Sequence, residues 1–264
     1  VTLTNASNDF QQEVRLAGAV VAVTDGVATT IAGESIGINL GTSTVSGTYT
    51  VIANAGNIID SGALAVTRLA TLTTSAPGAD IELDQTGSTF AAGISLNTTG
   101  SSGNATVDNG TNALIIAASS LGGNLTLTSG HGDGIIDAAG AIVTVGGNLS
   151  ATTNANNGVI NMGTLAVDGT IALITNGNGN ATVVNDDGLN FGTSSVGGVL
   201  TATASAGNMT DTGALTVTST SSFTTSATDA DIQLNTTTNG FTGTVTVNTA
   251  GTGGDAEIHG GSTP

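Results

Sequence analysis

The phrase GNIIDSGALAV at positions 56–66 returns as GNMTDTGALTV at 207–217, 207 − 56 = 151 positions later. The correspondence runs without a gap from 37–100 to 188–251. Apolar positions answer apolar positions: Leu64 and Val66 match Leu215 and Val217, Leu72 matches Phe223, and Ile81 and Leu83 match Ile232 and Leu234. A chain that copies its own inward-facing letters is built from stacked units rather than around one globular centre.

Shorter echoes divide the distance. NATV at 104 recurs at 180, and LGGNL at 121 is answered by VGGVL at 196, which defines a superrepeat of about 75 residues. The opening stretch belongs to it, since Val1, Leu3, Phe10, Val14 and Leu16 keep the spacing of Ile81, Leu83, Phe90, Ile94 and Leu96. A weaker frame, Gly-x-Ile followed by Gly-x-Leu-x-Val, stands at 56 and near 134, 158 and 207. Its steps point to an elementary unit of roughly 25 residues.

Each unit holds short alternating runs such as ALAV, LTLT, LTVT or TVTV, separated by Gly, Asn, Asp or Ser. Period-two alternation places Leu and Val on one face and Thr or Ala on the other, the pattern of a half-buried strand. So short a unit cannot close a core alone, but coiled over its neighbour in parallel register it satisfies its backbone and stacks like on like. The expected fold is therefore all-β: a right-handed parallel β-helix (β-solenoid) of about ten coils of roughly 25 residues, about 50 Å long, continuous over 1–264. An array of antiparallel β-sandwiches is the competing architecture, but its modules run to about 100 residues with an aromatic core residue. Here there is no Trp, one Tyr (Tyr49) and five Phe.

Charge narrows function. The formal net charge is −17, from 19 acids against Arg15 and Arg68, with no Lys. Nucleic acid is excluded as a partner because no basic surface exists to neutralise phosphates, and anionic membrane surfaces are excluded on the same ground. No apolar run approaches the ~18 residues of a spanning helix, so no membrane insertion is expected. The chain has no Cys and rests on no disulfide. It opens on VTLTN, with no initiator Met and no signal segment, and reads as a mature piece or an excised fragment.

At GNLTLTSG, GNIIDSGALAVT, GADIELDQTGSTFAAGISL and LGTSTVSGTYTV the sequence resembles the repeats of filamentous-haemagglutinin-like exoproteins and related β-strand-repeat bacterial surface adhesins. The likeness covers essentially the whole chain and is a style of repeat rather than a site motif. It implies a right-handed parallel β-helix, exported by a Gram-negative-type cell and used for adhesion, biofilm or a surface filament. The Asn-Pro-Asn-Gly type motif of that family's secretion domain is missing; the prolines are Pro77 and Pro264. The expectation is thus a non-enzymatic structural shaft or filament subunit of a secreted or cell-surface bacterial protein, with an adhesion or extracellular-matrix role. Its partners would be copies of itself end to end, or further repeats of a longer chain, and host or surface glycans. VTLT at the start and GGDAEIHGGSTP at the end hold no helical or Pro-rich cap, so both ends are expected to continue.

Competing chemistries can be placed on residues. A polysaccharide-active enzyme needs paired carboxylates with a base or cation. Asn185, Asp186 and Asp187, and His131 with Asp133, come nearest, but Arg15 and Arg68 lie far from them in sequence. Each arginine also aligns with Ser or Thr in the other copies. Asp60 with Asp211, and Asp80 with Asp231, do recur, and are expected to be turn residues bonding their own backbone. GHGDGIID (130–137) and GTGGDAE (251–257) have the flavour of calcium turns but lack nine-residue tandem spacing. His131 and His259 are expected to be solvated, and two lone histidines make no zinc site. No cofactor, metal or catalytic residue is assigned. Outward Thr suggests an ice-binding ladder, which Ala, Ser, Arg and Asn interrupt. Asn104, Asn148 and Asn208 head Asn-x-Ser/Thr triplets of the kind that accept glycans, and NGNGN (176–180) lacks the Lys of a phosphate loop.

Overall fold

A computed structural model describes residues 1–260, and within them every regular element is a β-strand. The chain winds through two main sheets in turn. The first carries a ladder of twelve strands from Thr2–Leu3 through Tyr49–Ala53, Ile94–Thr99, Ala181–Asn185 and Leu200–Ala204 to Val245–Ala250. The second runs from Glu34–Leu40 to Ala256–Ile258. Partners along each ladder are parallel and come from successive coils, as in Tyr49 beside Ala70 and Ala70 beside Ile94. This is the β-solenoid, with twelve rungs rather than about ten.

Alternation creates the core. In Leu125–Ser129 the first, third and fifth side chains are buried while Thr126 faces water. Parallel register then lays aliphatic on aliphatic: Val23 beside Val51, Val51 beside Leu72, Leu72 beside Leu96. One continuous core cluster results, from Val14 to Leu234. Each fully buried Leu, Ile or Val contributes roughly 1.5–3 kcal/mol of transfer free energy. Interspersed Ala53, Ala70, Ala105, Ala151 and Ala202 keep this core thin. Phe191, Phe223 and Phe241 fill its last coils edge to face, with centroids 6.2 and 5.8 Å apart.

The coils are shorter and less regular than the repeat arithmetic implies. Ladder partners are 19 residues apart at Thr182 and Thr201 but 28 apart at Val21 and Tyr49. The longest coil holds the one antiparallel pairing among the described residues, Thr29–Ile31 on Glu34–Leu40, turned by Ala32 and Gly33 at positive φ. Tyr49 and Leu200, 200 − 49 = 151 positions apart, are separated by seven steps of the first ladder. The superrepeat therefore spans three and a half coils, and each copy enters the rod half a turn out of phase with the last. Ala105 of the first NATV lies in the second sheet, whereas Ala181 of the other lies in the first.

A third, narrower face makes the half turn visible. Ser43–Val45, Leu64–Val66 and Thr89–Phe90 lie where the chain passes from the second sheet to the first. Ser119–Leu121, Val143–Val145 and Leu165–Val167 lie on the opposite edge, where it passes from the first sheet to the second. Ser194–Val196, Leu215–Val217 and Gly240–Phe241 return to the original edge. The corners entering and leaving these strands approach so closely that a Cβ on Gly47, Gly122 or Gly197 would overlap a carbonyl oxygen of the preceding coil, from Ala19, Gly100 and Gly177 respectively.

Candidate functional site

Polar chemistry sits mainly at the corners between faces, and most of it holds one coil to the next. Three serines open the three blocks of the third face. Ser43, Ser119 and Ser194 accept the amides of Leu16, Leu96 and Leu173 from the coil before (3.0, 3.0 and 3.1 Å). Each donates its proton to the carbonyl two residues earlier, on Gly41, Ala117 and Gly192 (2.8 Å each). Thr74, Thr153 and Thr225 are buried and donate across a turn to the carbonyls of Ala79, Gly158 and Ala230, each at 3.0 Å. Asn109 and Asn185 turn inward and accept the amides of Phe90 and Val167 (3.2 and 2.8 Å). These Ser and Thr positions and Asn109 carry no mark in the sequence beyond their recurrence at the superrepeat spacing, and Asn185, a catalytic candidate in the sequence, is a corner residue of the same kind.

Another corner carries a polar ladder. The Oδ1 of Asn57 accepts the amide of Asp80, that of Asp80 accepts Asn104, that of Asn104 accepts Asn124, and that of Asn124 accepts Asn148 (2.6–2.9 Å). Asn208 and Asp231 repeat the arrangement toward Asp231 and Asp255. The recurring aspartates thus bond backbone one coil onward, not in their own turn. The reason is that a parallel ladder places the next coil's amide nearer the carboxylate than its own. Asn104, Asn148 and Asn208 of the Asn-x-Ser/Thr triplets are members of these ladders.

The catalytic candidates do not converge. Asn185 is buried, with its Nδ2 on the carbonyls of Val167 and Gly188 (3.0 and 2.6 Å), while Asp186 and Asp187 are exposed. Asp187 lines a surface recess of about 400 Å³ with Asp168, Asn190 and Asn208, and Asp186 lines a separate one of about 230 Å³ with Ile142, Leu165 and Val184. His131 lies 3.5 Å from Asp133, and His259 lies 3.2 Å from Glu257, all with exposed side chains. Arg15 is held by Glu13 at 2.6 Å; that hydrogen bond lowers the Glu13 carboxyl's pKa and raises the guanidinium's. Arg68 is exposed on a corner. In the 251–257 turn the Asp229 carboxylate accepts the amides of Thr252 and Gly253 (3.1 and 2.7 Å). Among the described residues no three His, Asp or Glu side chains gather as a metal group, and no helix is long and apolar enough to cross a membrane.

Outward on the first sheet, one row reads Thr50, Thr71, Ser95; further along it reads Ile115, Ile136, Asn161, Thr182, Thr201, Ser222, Thr246. The threonine run is broken by aliphatic and amide side chains.

Stacked parallel coils with bonds directed from one coil to the next define a solenoid repeat protein. The chain belongs to the family described as repeats of unknown function (DUF5649), whose model matches residues 20–97 and 178–248. The two matched segments end 248 − 97 = 151 positions apart, the seven-coil distance. No curated protein and no solved structure matches the chain.

Proposed function

We propose that this chain is a structural shaft of a secreted or cell-surface bacterial protein of the filamentous-haemagglutinin-like type, acting by length and stiffness in adhesion or an extracellular matrix. The single observation that carries the reading is the state of the last described coil. Phe241, Val245, Val247 and Ile258 take the inward positions of the repeat but are only partly covered, with Val247 39% exposed. Their counterparts one seven-coil repeat earlier, Phe90, Ile94, Leu96 and Val107, are fully buried beneath the next coil. A further coil, from the same polypeptide or from a second copy, is the matching occupant. The acidic charge keeps rods apart laterally while strand pairing and aliphatic contact join them end to end.

Negative-stain electron microscopy and size-exclusion chromatography over a concentration series test this reading, each run with and without a chelator. Rods about 55 Å long, joining end to end with rising concentration and unaffected by chelator, are expected. Val247→Asp should abolish the joining. A compact monomer at every concentration, or assembly that needs calcium, would count against it.

A further inference from the structure

Asp60, Asp137 and Asp211 hold the same place in three successive superrepeats (137 − 60 = 77, 211 − 137 = 74), each ending a strand of a main sheet. Two of them are met by both backbone and side-chain donors one coil on. Asp137 Oδ2 accepts the amide and the hydroxyl of Thr164 (2.7 and 2.5 Å). Asp211 accepts the amides of Asn235 and Thr236 on Oδ1 (3.0 and 3.3 Å) and the side-chain amide of Asn239 on Oδ2 (2.5 Å).

Asn239 is replaced in the first copy by Ser88, 239 − 88 = 151 positions earlier. Ser88 keeps half of its counterpart's work: it accepts the Leu64 amide (3.1 Å) as Asn239 accepts that of Leu215 (2.8 Å). It does not satisfy the carboxyl. Asp60 is 7% exposed; its Oδ1 accepts the Asp84 amide at 3.1 Å, and its Oδ2 is buried with no partner. The surrounding strands offer no compensating charge. The strand below sets Leu40 beside Asp60 and carries Glu34 at its far end; the strand above carries Glu82, followed by Asp84. Arg15, in the coil beneath, is occupied by Glu13.

We propose that the Asp60 carboxyl is a pH-responsive element of the solenoid, held as the neutral acid in the stacked rod, and that ionising it loosens the coil joining Asn57–Asp60 to Leu64–Val66. Burial, reinforced by the Asp84 charge, pushes this carboxyl up to about 7. A carboxyl raised in the folded state stabilises fully below the ordinary aspartate range. That stabilisation declines as pH rises from there and is gone above the folded value, so the rod weakens toward neutral pH.

The test is the thermal midpoint of the chain between about pH 5 and about pH 8, with carboxyl carbon NMR of its aspartates. The wild type should lose stability across this range and show one carboxyl titrating near 7, and Asp60→Asn should remove both behaviours. Ser88→Asn installs the amide of the third copy and should move the step down by about one pH unit or more. Asp211→Asn should keep it. Parallel profiles for wild type and Asp60→Asn, or an Asp60 resonance titrating in the ordinary aspartate range, would overturn the proposal. Should Asp60→Asn not fold, the wild-type resonance and the Ser88→Asn profile still decide.

Discussion

Ser119 Oγ accepts the amide of Leu96, a residue one coil earlier, at 3.0 Å and donates its own hydrogen bond to the Ala117 carbonyl. The hydroxyl thus closes the corner where a third-face strand starts and the main ladder pauses. Ser119→Ala leaves a buried amide without an acceptor and should cost roughly 1–3 kcal/mol, read as a lower urea midpoint. The neighbouring Ser120, which faces water, should tolerate Ala within about 0.5 kcal/mol. Ser43 and Ser194 should behave like Ser119, because each holds the equivalent bonds.

Close approach of corners gives a second expectation. A side chain on Gly122 would meet the Gly100 carbonyl, which is fixed in the coil beneath and cannot rotate aside. Gly122→Ala should destabilise by about 1–3 kcal/mol or more. At Gly163, where a Cβ meets nothing within 4 Å, the same change should lie within about 0.5 kcal/mol of zero. Chemical denaturation of both variants checks the contrast.

What the sequence disclosed and concealed follows from the geometry. Alternation and self-similarity made parallel stacking legible, because Leu64 and Leu215 must meet the same neighbours at the same height. Coil length was not legible. Both main sheets bury the same alternating pattern, so a 75-residue echo looks the same for three coils of 25 as for three and a half shorter ones. The placement of Ala105 and Ala181 in different sheets separates them. The antiparallel turn at Ala32 and Gly33 was hidden because its single Ala-Gly step looks like any of the many Gly-containing corners between strands. The orphaned carboxyl of Asp60 depends on Ser88 being too short, a relation across a coil that emerges only when both are placed beside Asp211 and Asn239.

Core truncations distinguish an interior coil from the terminal one. Leu96 is fully buried, and Leu96→Ala should cost about 2–5 kcal/mol. Val247, its counterpart 151 positions later, is 39% exposed, so Val247→Ala should cost about 1 kcal/mol or less in dispersed material. In end-joined rods Val247 becomes an interior residue and the two costs should converge. Calorimetry at low and high protein concentration measures the difference.

The half-turn relation between superrepeats makes a last prediction about length. Asn112 and Asp187 hold equivalent places, so removing 113–187 joins a coil to its own counterpart. The downstream rod simply turns by half a revolution, exchanging the roles of the two main sheets. Such a deletion should stay folded and shorten the rod by about 17 Å, three and a half rungs of ~4.8 Å, measurable by small-angle scattering. Removing 113–150 instead joins Asn112 to Ala151 in the middle of Leu149–Asn156, shifts the inward pattern against its neighbours, and should give an aggregating or unfolded product. If both deletions fold equally well, coil register is not what holds the stack together; if neither folds, the superrepeat is not a self-consistent unit.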